Sequence, residues 1–192
     1  MYHFMYILRS ILAAATVLVL GLTACGNATA QDEGGSSPPP ALNDNPMTAE
    51  RLGQLIRGID EEAESSGPVW AFSVADLEVA VIYDVSADRM RIIIPIGPIE
   101  DVPKEELVRI LQANFDSALD ARYAIADGKL WGAFIHPLSE LSDEEFLVGL
   151  GETANVVLTY GTTYSSGLFI YGGGDSAEMQ RNLIEELRNQ RT

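Results

Sequence analysis

Residues 121–138 read ARYAIADGKLWGAFIHPL, two runs of alternating character that meet at Asp127-Gly128. An Asp-Gly pair supplies the positive φ values that a two-residue hairpin turn demands, so this stretch predicts two antiparallel strands joined tightly. On its N-terminal side Pro103 opens a helix, capped by Asp101 or Val102, that carries Leu107, Leu111, Phe115 and Leu119 at four-residue spacing and ends near Ala121. On its C-terminal side Ser142 and Glu145 make a capping box, and Leu141 with Phe146 makes a hydrophobic staple. A further helix therefore starts at Asp143 and runs to about Tyr160.

The chain before Pro103 supplies one helix and three strands. From Met47 onward Leu52, Leu55, Ile56 and Ile59 share one helical face, and the acidic run DEEAESSG ends that helix at Gly67. The runs VWAFSV, EVAVIYDV and RMRIIIPIG are rich in branched and aromatic residues, with polar breaks at Ala75-Asp76 and Ser86-Ala87-Asp88. They predict an antiparallel meander in which Trp70, Phe72 and Val74, and then Val79, Val81 and Tyr83, face a core. The order helix, three strands, helix, two strands, helix is α+β, with an antiparallel sheet. Beyond it, Asp175 caps a last helix with Met179, Leu183, Ile184 and Leu187 on one stripe, behind the glycines 172–174. The chain thus divides into a leader (1–24), a tether (25–46), an α+β domain (47–166), and a hinge with an amphipathic tail helix (167–192).

The leader has one cation, Arg9, then no charge from Ile11 to Leu22, which is the plan of a secretory signal peptide. Its apolar stretch is shorter than the roughly 20 residues that span a bilayer. Leu22-Thr23-Ala24-Cys25 resembles the lipobox of bacterial lipoproteins. That resemblance implies that Cys25, the only cysteine, receives a diacylglyceryl group and becomes the acylated first residue of the mature chain. A lone thiol cannot form an intramolecular disulfide. Residues 26–46, with GGSSPPP, form a tether of flexible and stiffer halves. In the lipoprotein family an Asp after the cysteine tends to retain the protein in the inner membrane of enteric bacteria; Gly26 stands there, which favours the outer membrane. The expected place is the cell envelope, periplasm-facing and lipid-anchored.

Loss of residues 1–24 leaves 11 Lys and Arg against 28 Asp and Glu, a formal charge of −17. Such a surface repels nucleic acid and anionic headgroups, so no nucleic-acid partner is predicted. Chemistry is sparse. With His3 in the leader, His136 is the only histidine left, too few nitrogen and sulfur donors for a common metal site. No serine sits in a GxSxG elbow. Asp60, Glu61, Glu62 and Glu64, and Asp143, Glu144 and Glu145, read as solvated helix ends, and neither run matches a calcium loop. FIYGGGDSAE fits dinucleotide spacing at Gly172, Gly174 and Ala177, yet no Lys or Arg follows the glycines and Asp175 would repel an anion. No catalytic residue, metal or cofactor is predicted.

The element order, with RMRIIIPIG and the stretch ELVRILQANFDSALDARYAIADGKLWGAFIHPLSELSDEEFLVGL, resembles the YbjN-type and type III secretion chaperone-like families over residues 47–160. Asn114-Phe115 on the amphipathic helix, followed by the hairpin and the acid-capped helix, carries the likeness. The resemblance implies a non-catalytic domain that holds another protein and forms a homodimer. Type III chaperones are cytosolic, and an exported, lipidated chain departs from them. Two function classes follow: a membrane-tethered protein-binding lipoprotein, with Met179, Leu183 and Leu187 as the partner-binding stripe, or a cell-envelope hydrolase using paired carboxylates. The tail stripe must be buried either on its own domain or in a partner's groove.

Overall fold

Thr48 accepts the backbone N–H of Arg51 at 3.2 Å and starts helix α1, Ala49–Ile59, whose Leu52, Leu55 and Ile56 are buried. The computed structural model describes residues 45–116, 120–161 and 177–190. Helix α1 stops at Ile59 rather than reaching Gly67. The two carboxylate oxygens of Asp60 accept the N–H of Glu62 and of Ser73, each at 2.9 Å, and this draws the chain out of the helical path toward the sheet. The acidic run then forms a short strand, β1 (Glu64–Ser66), and not the end of a helix. It pairs antiparallel with β2, Val69–Val74.

Strands β3 (Leu77–Asp84) and β4 (Arg89–Pro98) complete the expected meander, with Ala75 and Asp76 at φ 49° and 63° in the β2–β3 turn. A 3₁₀ turn at Ile99–Asp101 leads into α2, Lys104–Asp116, and Pro103 stands just before its first residue. The hairpin forms as predicted: β5 is Arg122–Ala126, β6 is Lys129–His136, and Asp127 and Gly128 take φ 49° and 69°. The six strands are ordered β1-β2-β3-β4-β6-β5, all neighbours antiparallel, which leaves β1 and β5 at the edges.

Register places Trp70, Val81, Ile92 and Phe134 in one row across four strands, and all four are buried. Helix α3, Asp143–Leu158, packs on this face. The Ser142–Glu145 capping box starts it, and Leu141 and Phe146 of the staple are both fully buried. Gly149 lets the helix settle on Phe134, since a Cβ there would meet the ring at 2.7 Å. The tail helix α4, Ala177–Gln190, lies on α3 and adds Leu183 and Leu187 to the same core. Ion pairs Arg51–Asp143 (2.8 Å) and Arg188–Glu144 hold α1 and α4 to the start of α3. A second cluster, Ile110, Ala113, Ala121, Tyr123, Leu130 and Val156, joins α2 to the hairpin. Residues Asn43–Thr192 are one compact unit that contains both clusters, so the unit carries its own core.

The leader, Cys25 and nearly all of the tether lie outside the described residues, as do Leu119, the glycines 172–174 and Asp175. No described helix is long and apolar enough to cross a membrane.

Candidate functional site

Helix α2 is fixed on one side only. Ile110 and Ala113 face the second cluster, and Asn114 mimics a strand partner: its Oδ1 accepts the Tyr123 N–H at 2.7 Å and its Nδ2 donates to the Tyr123 carbonyl at 3.1 Å. The Asn114-Phe115 pair thus splits, with Asn114 docking the helix and Phe115 pointing away. Val108, Leu111 and Phe115, spaced i, i+3 and i+7, are 53%, 69% and 80% exposed. Neighbouring positions at this spacing form one continuous ridge on a helix. Beside it lies the edge strand β5, where Ile125 is also exposed. Three large exposed apolar side chains in one row form a contiguous patch rather than scattered surface, beside an edge strand that Asn114 caps at Tyr123.

The tail stripe behaves differently. Leu187 is 1% exposed and Leu183 is 7% exposed, both in the domain's own core, whereas Met179 is 49% exposed. Two of the three predicted partner-binding residues are therefore committed to internal packing. The reason is a close helix approach: Gly151 of α3 admits Ile184, whose Cγ1 would stand 2.5 Å from any Cβ placed there. Met179 instead borders a groove of about 560 Å³ together with Leu158, Glu178, Asn182, Leu183 and Glu186.

A smaller cleft of about 270 Å³ lies between α3 and β6, lined by Asp120, Phe134, His136, Glu145, Gly149 and Glu152 among others. Glu152 is nearly buried, and one of its oxygens accepts the Asp120 N–H at 3.2 Å. Burial, and then the charge of Asp120, push its carboxyl above the usual range. Glu145 goes the other way, because the backbone and hydroxyl of Ser142 hydrogen-bond its charged form. His136 ends β6, with Nδ1 2.8 Å from the Pro137 carbonyl and its ring stacked on Phe134 at 5.9 Å. Among the described residues no group of three His, Cys, Asp or Glu side chains converges as a metal site. Sequence reasoning missed Glu152, Asp120, Leu158 and Val108. The two carboxylates come from separate elements and carry no motif, while Val108 was visible as an apolar residue one helical turn from Leu111.

No family model and no curated protein matches the chain. Among solved structures, a chain of the HopA1–SchA chaperone–effector complex is similar at 12% identity and TM-score 0.42, over 52% of this chain and 79% of that one. A chain of the ExsC–ExsE complex is similar at 12% identity and TM-score 0.49, over 62% of this chain and 98% of that one. A chain of the Yersinia pestis type III secretion chaperone SycH in complex with a fragment of YscM2 is similar at 15% identity and TM-score 0.44, over 57% and 98%. Identities this low leave function to be argued from the chain's own surface.

Proposed function

We propose that the chain is a membrane-tethered, non-catalytic protein-binding lipoprotein of the cell envelope, chaperone-like in covering another protein's apolar surface, and anchored by lipid on Cys25. The observation that carries this reading is the α2 ridge of Val108, Leu111 and Phe115 beside the edge strand β5. Three large apolar side chains in one row leave an area that water disfavours, and a protein surface of like character removes it from solvent. A second copy is the first occupant, because a ridge with an adjacent strand edge can meet its own twofold image. The charge of −16 over the whole chain keeps nucleic acid away.

A photoreactive amino acid at position 115, in the intact cell envelope, tests the reading. Protein adducts are expected there, at the mass of a dimer for self-association, and none at Val85, which is exposed in a turn. Absence of any protein adduct at 115 would refute it. At tens of micromolar, Phe115→Asp should turn a dimer into a monomer in light scattering with little change in unfolding temperature, since the side chain is 80% exposed.

One observation favours a second reading, a carboxylate-based cell-envelope hydrolase. In the α3–β6 cleft Glu152 retains its proton more readily than an ordinary carboxyl while Glu145 gives it up more readily, a split suited to acid and base roles. Turnover of purified peptidoglycan that is lost in Glu152→Gln would establish it.

A further inference from the structure

The groove between the end of α3 and the outer side of α4 combines two features, an apolar floor and an acidic rim. Its floor is apolar: Leu158 and Met179 are both exposed, with Leu183 beneath them. Its rim is acidic. Glu178, Asn182 and Glu186 follow one another at four-residue spacing and so form a single row along α4. The opposite wall is the C-terminal end of α3, where Leu158 is the last helical residue and no basic side chain stands in the last turn. A helix C-terminus carries about half a negative charge, and here nothing basic in that turn offsets it. Acid on one wall and a negative helix end on the other, over an exposed aliphatic floor, match a segment that is apolar on one side and cationic at its margins.

From this we infer that the α3–α4 groove docks a basic amphipathic peptide segment of another protein. The inference rests on the protein-binding reading and names its partner's chemistry. Two of the chain's own segments outside the described residues, 26–44 and 162–176, contain no Lys or Arg and so do not fit the description. The occupant's aliphatic side chains replace water over Leu158 and Met179, and its Lys or Arg side chains run along the Glu178–Glu186 row. Electrostatic complementarity of this kind sets register and encounter rate, while the apolar floor sets residence. The groove is separate from the α2 ridge, so one copy can bind a partner while its α2 face meets a second copy.

The test uses the compact unit Asn43–Thr192 and a fluorescein-labelled Leu/Lys peptide of helical period, roughly 18 residues long so that a helix can form. A Leu/Glu peptide of the same pattern is its counterpart. Fluorescence anisotropy should show the basic peptide binding and the acidic one failing to bind. Affinity should fall roughly tenfold or more in Glu178→Lys/Glu186→Lys and in Met179→Glu, and stay within roughly twofold in Glu100→Lys/Glu105→Lys, which changes net charge equally on exposed sites elsewhere. All these side chains are exposed, so the unfolding temperature should be unaffected, and circular dichroism checks it. Equal loss in both charge pairs would reduce the effect to the general field of an acidic protein and overturn the inference. Loss in Phe115→Asp with retention in the groove variants would overturn it too, by placing the peptide on α2, while leaving the protein-binding reading intact. Failure of the basic peptide to bind, or equal binding of the acidic one, would likewise overturn it.

Discussion

Leu187→Ala decides whether the tail helix belongs to the domain or stands ready for a partner. Leu187 is 1% exposed and shares a cluster with Leu183 of α4 and with Leu147 and Leu150 of α3, so its removal leaves a cavity within the core. Buried Leu→Ala changes cost about 2–5 kcal/mol, and a site held by a close Gly151–Ile184 contact collapses poorly, so about 3 kcal/mol is expected. In a unit of about 150 residues that corresponds to a fall of about 6–12 °C in unfolding temperature. Met179→Ala, on the same helix but 49% exposed, should cost less than about 1 kcal/mol. Urea unfolding of Asn43–Thr192, followed by circular dichroism with an unchanged m-value, reads both. If the two variants lose the same stability to within about 0.5 kcal/mol, the tail is not part of the core and the packing argument fails. By the same reasoning, deletion of residues 172–192 should strip the core cluster of Leu183 and Leu187 and unfold the domain at a much lower temperature.

Gly151→Ala places a Cβ 2.5 Å from Ile184 Cγ1 and should cost about 1–3 kcal/mol, with part of the loss recovered when Ile184→Ala is added, measured in a double-mutant cycle of urea unfolding. Glu152→Gln addresses pH. A carboxyl whose folded pKa is raised binds its proton more readily in the folded state, so it lowers stability as pH climbs above the ordinary carboxylate value. The variant should therefore be more stable than the parent at pH 7, with the two curves converging below about pH 4; a parent that is the more stable at neutral pH would contradict the buried, charge-crowded setting. Cys25→Ser should leave the membrane fraction or stay unprocessed, and a processed variant that still partitions with membranes would end the lipoprotein assignment.

Local chemistry was legible without the fold. Asp127-Gly128 demands its turn because positive φ is a property of two residues, and Ser142 with Glu145 starts α3 because a capping box spans one helical turn. The α+β class, and the order of every helix and strand except β1, followed from such signals. What lay beyond reach depended on groups far apart in the chain. Asp60 ends α1 by accepting the N–H of Ser73 in β2, so an acidic run that reads as a helix end becomes strand β1. Asp120 meets Glu152 only because α3 crosses β6, and no spacing records that. The α2 and α4 stripes are equally amphipathic as sequence, and a helical period says only that each has an apolar side. Tertiary structure alone decides that α4 finds Gly151 and the core opposite it while Val108, Leu111 and Phe115 of α2 find water, because burial is a property of what stands across from a residue.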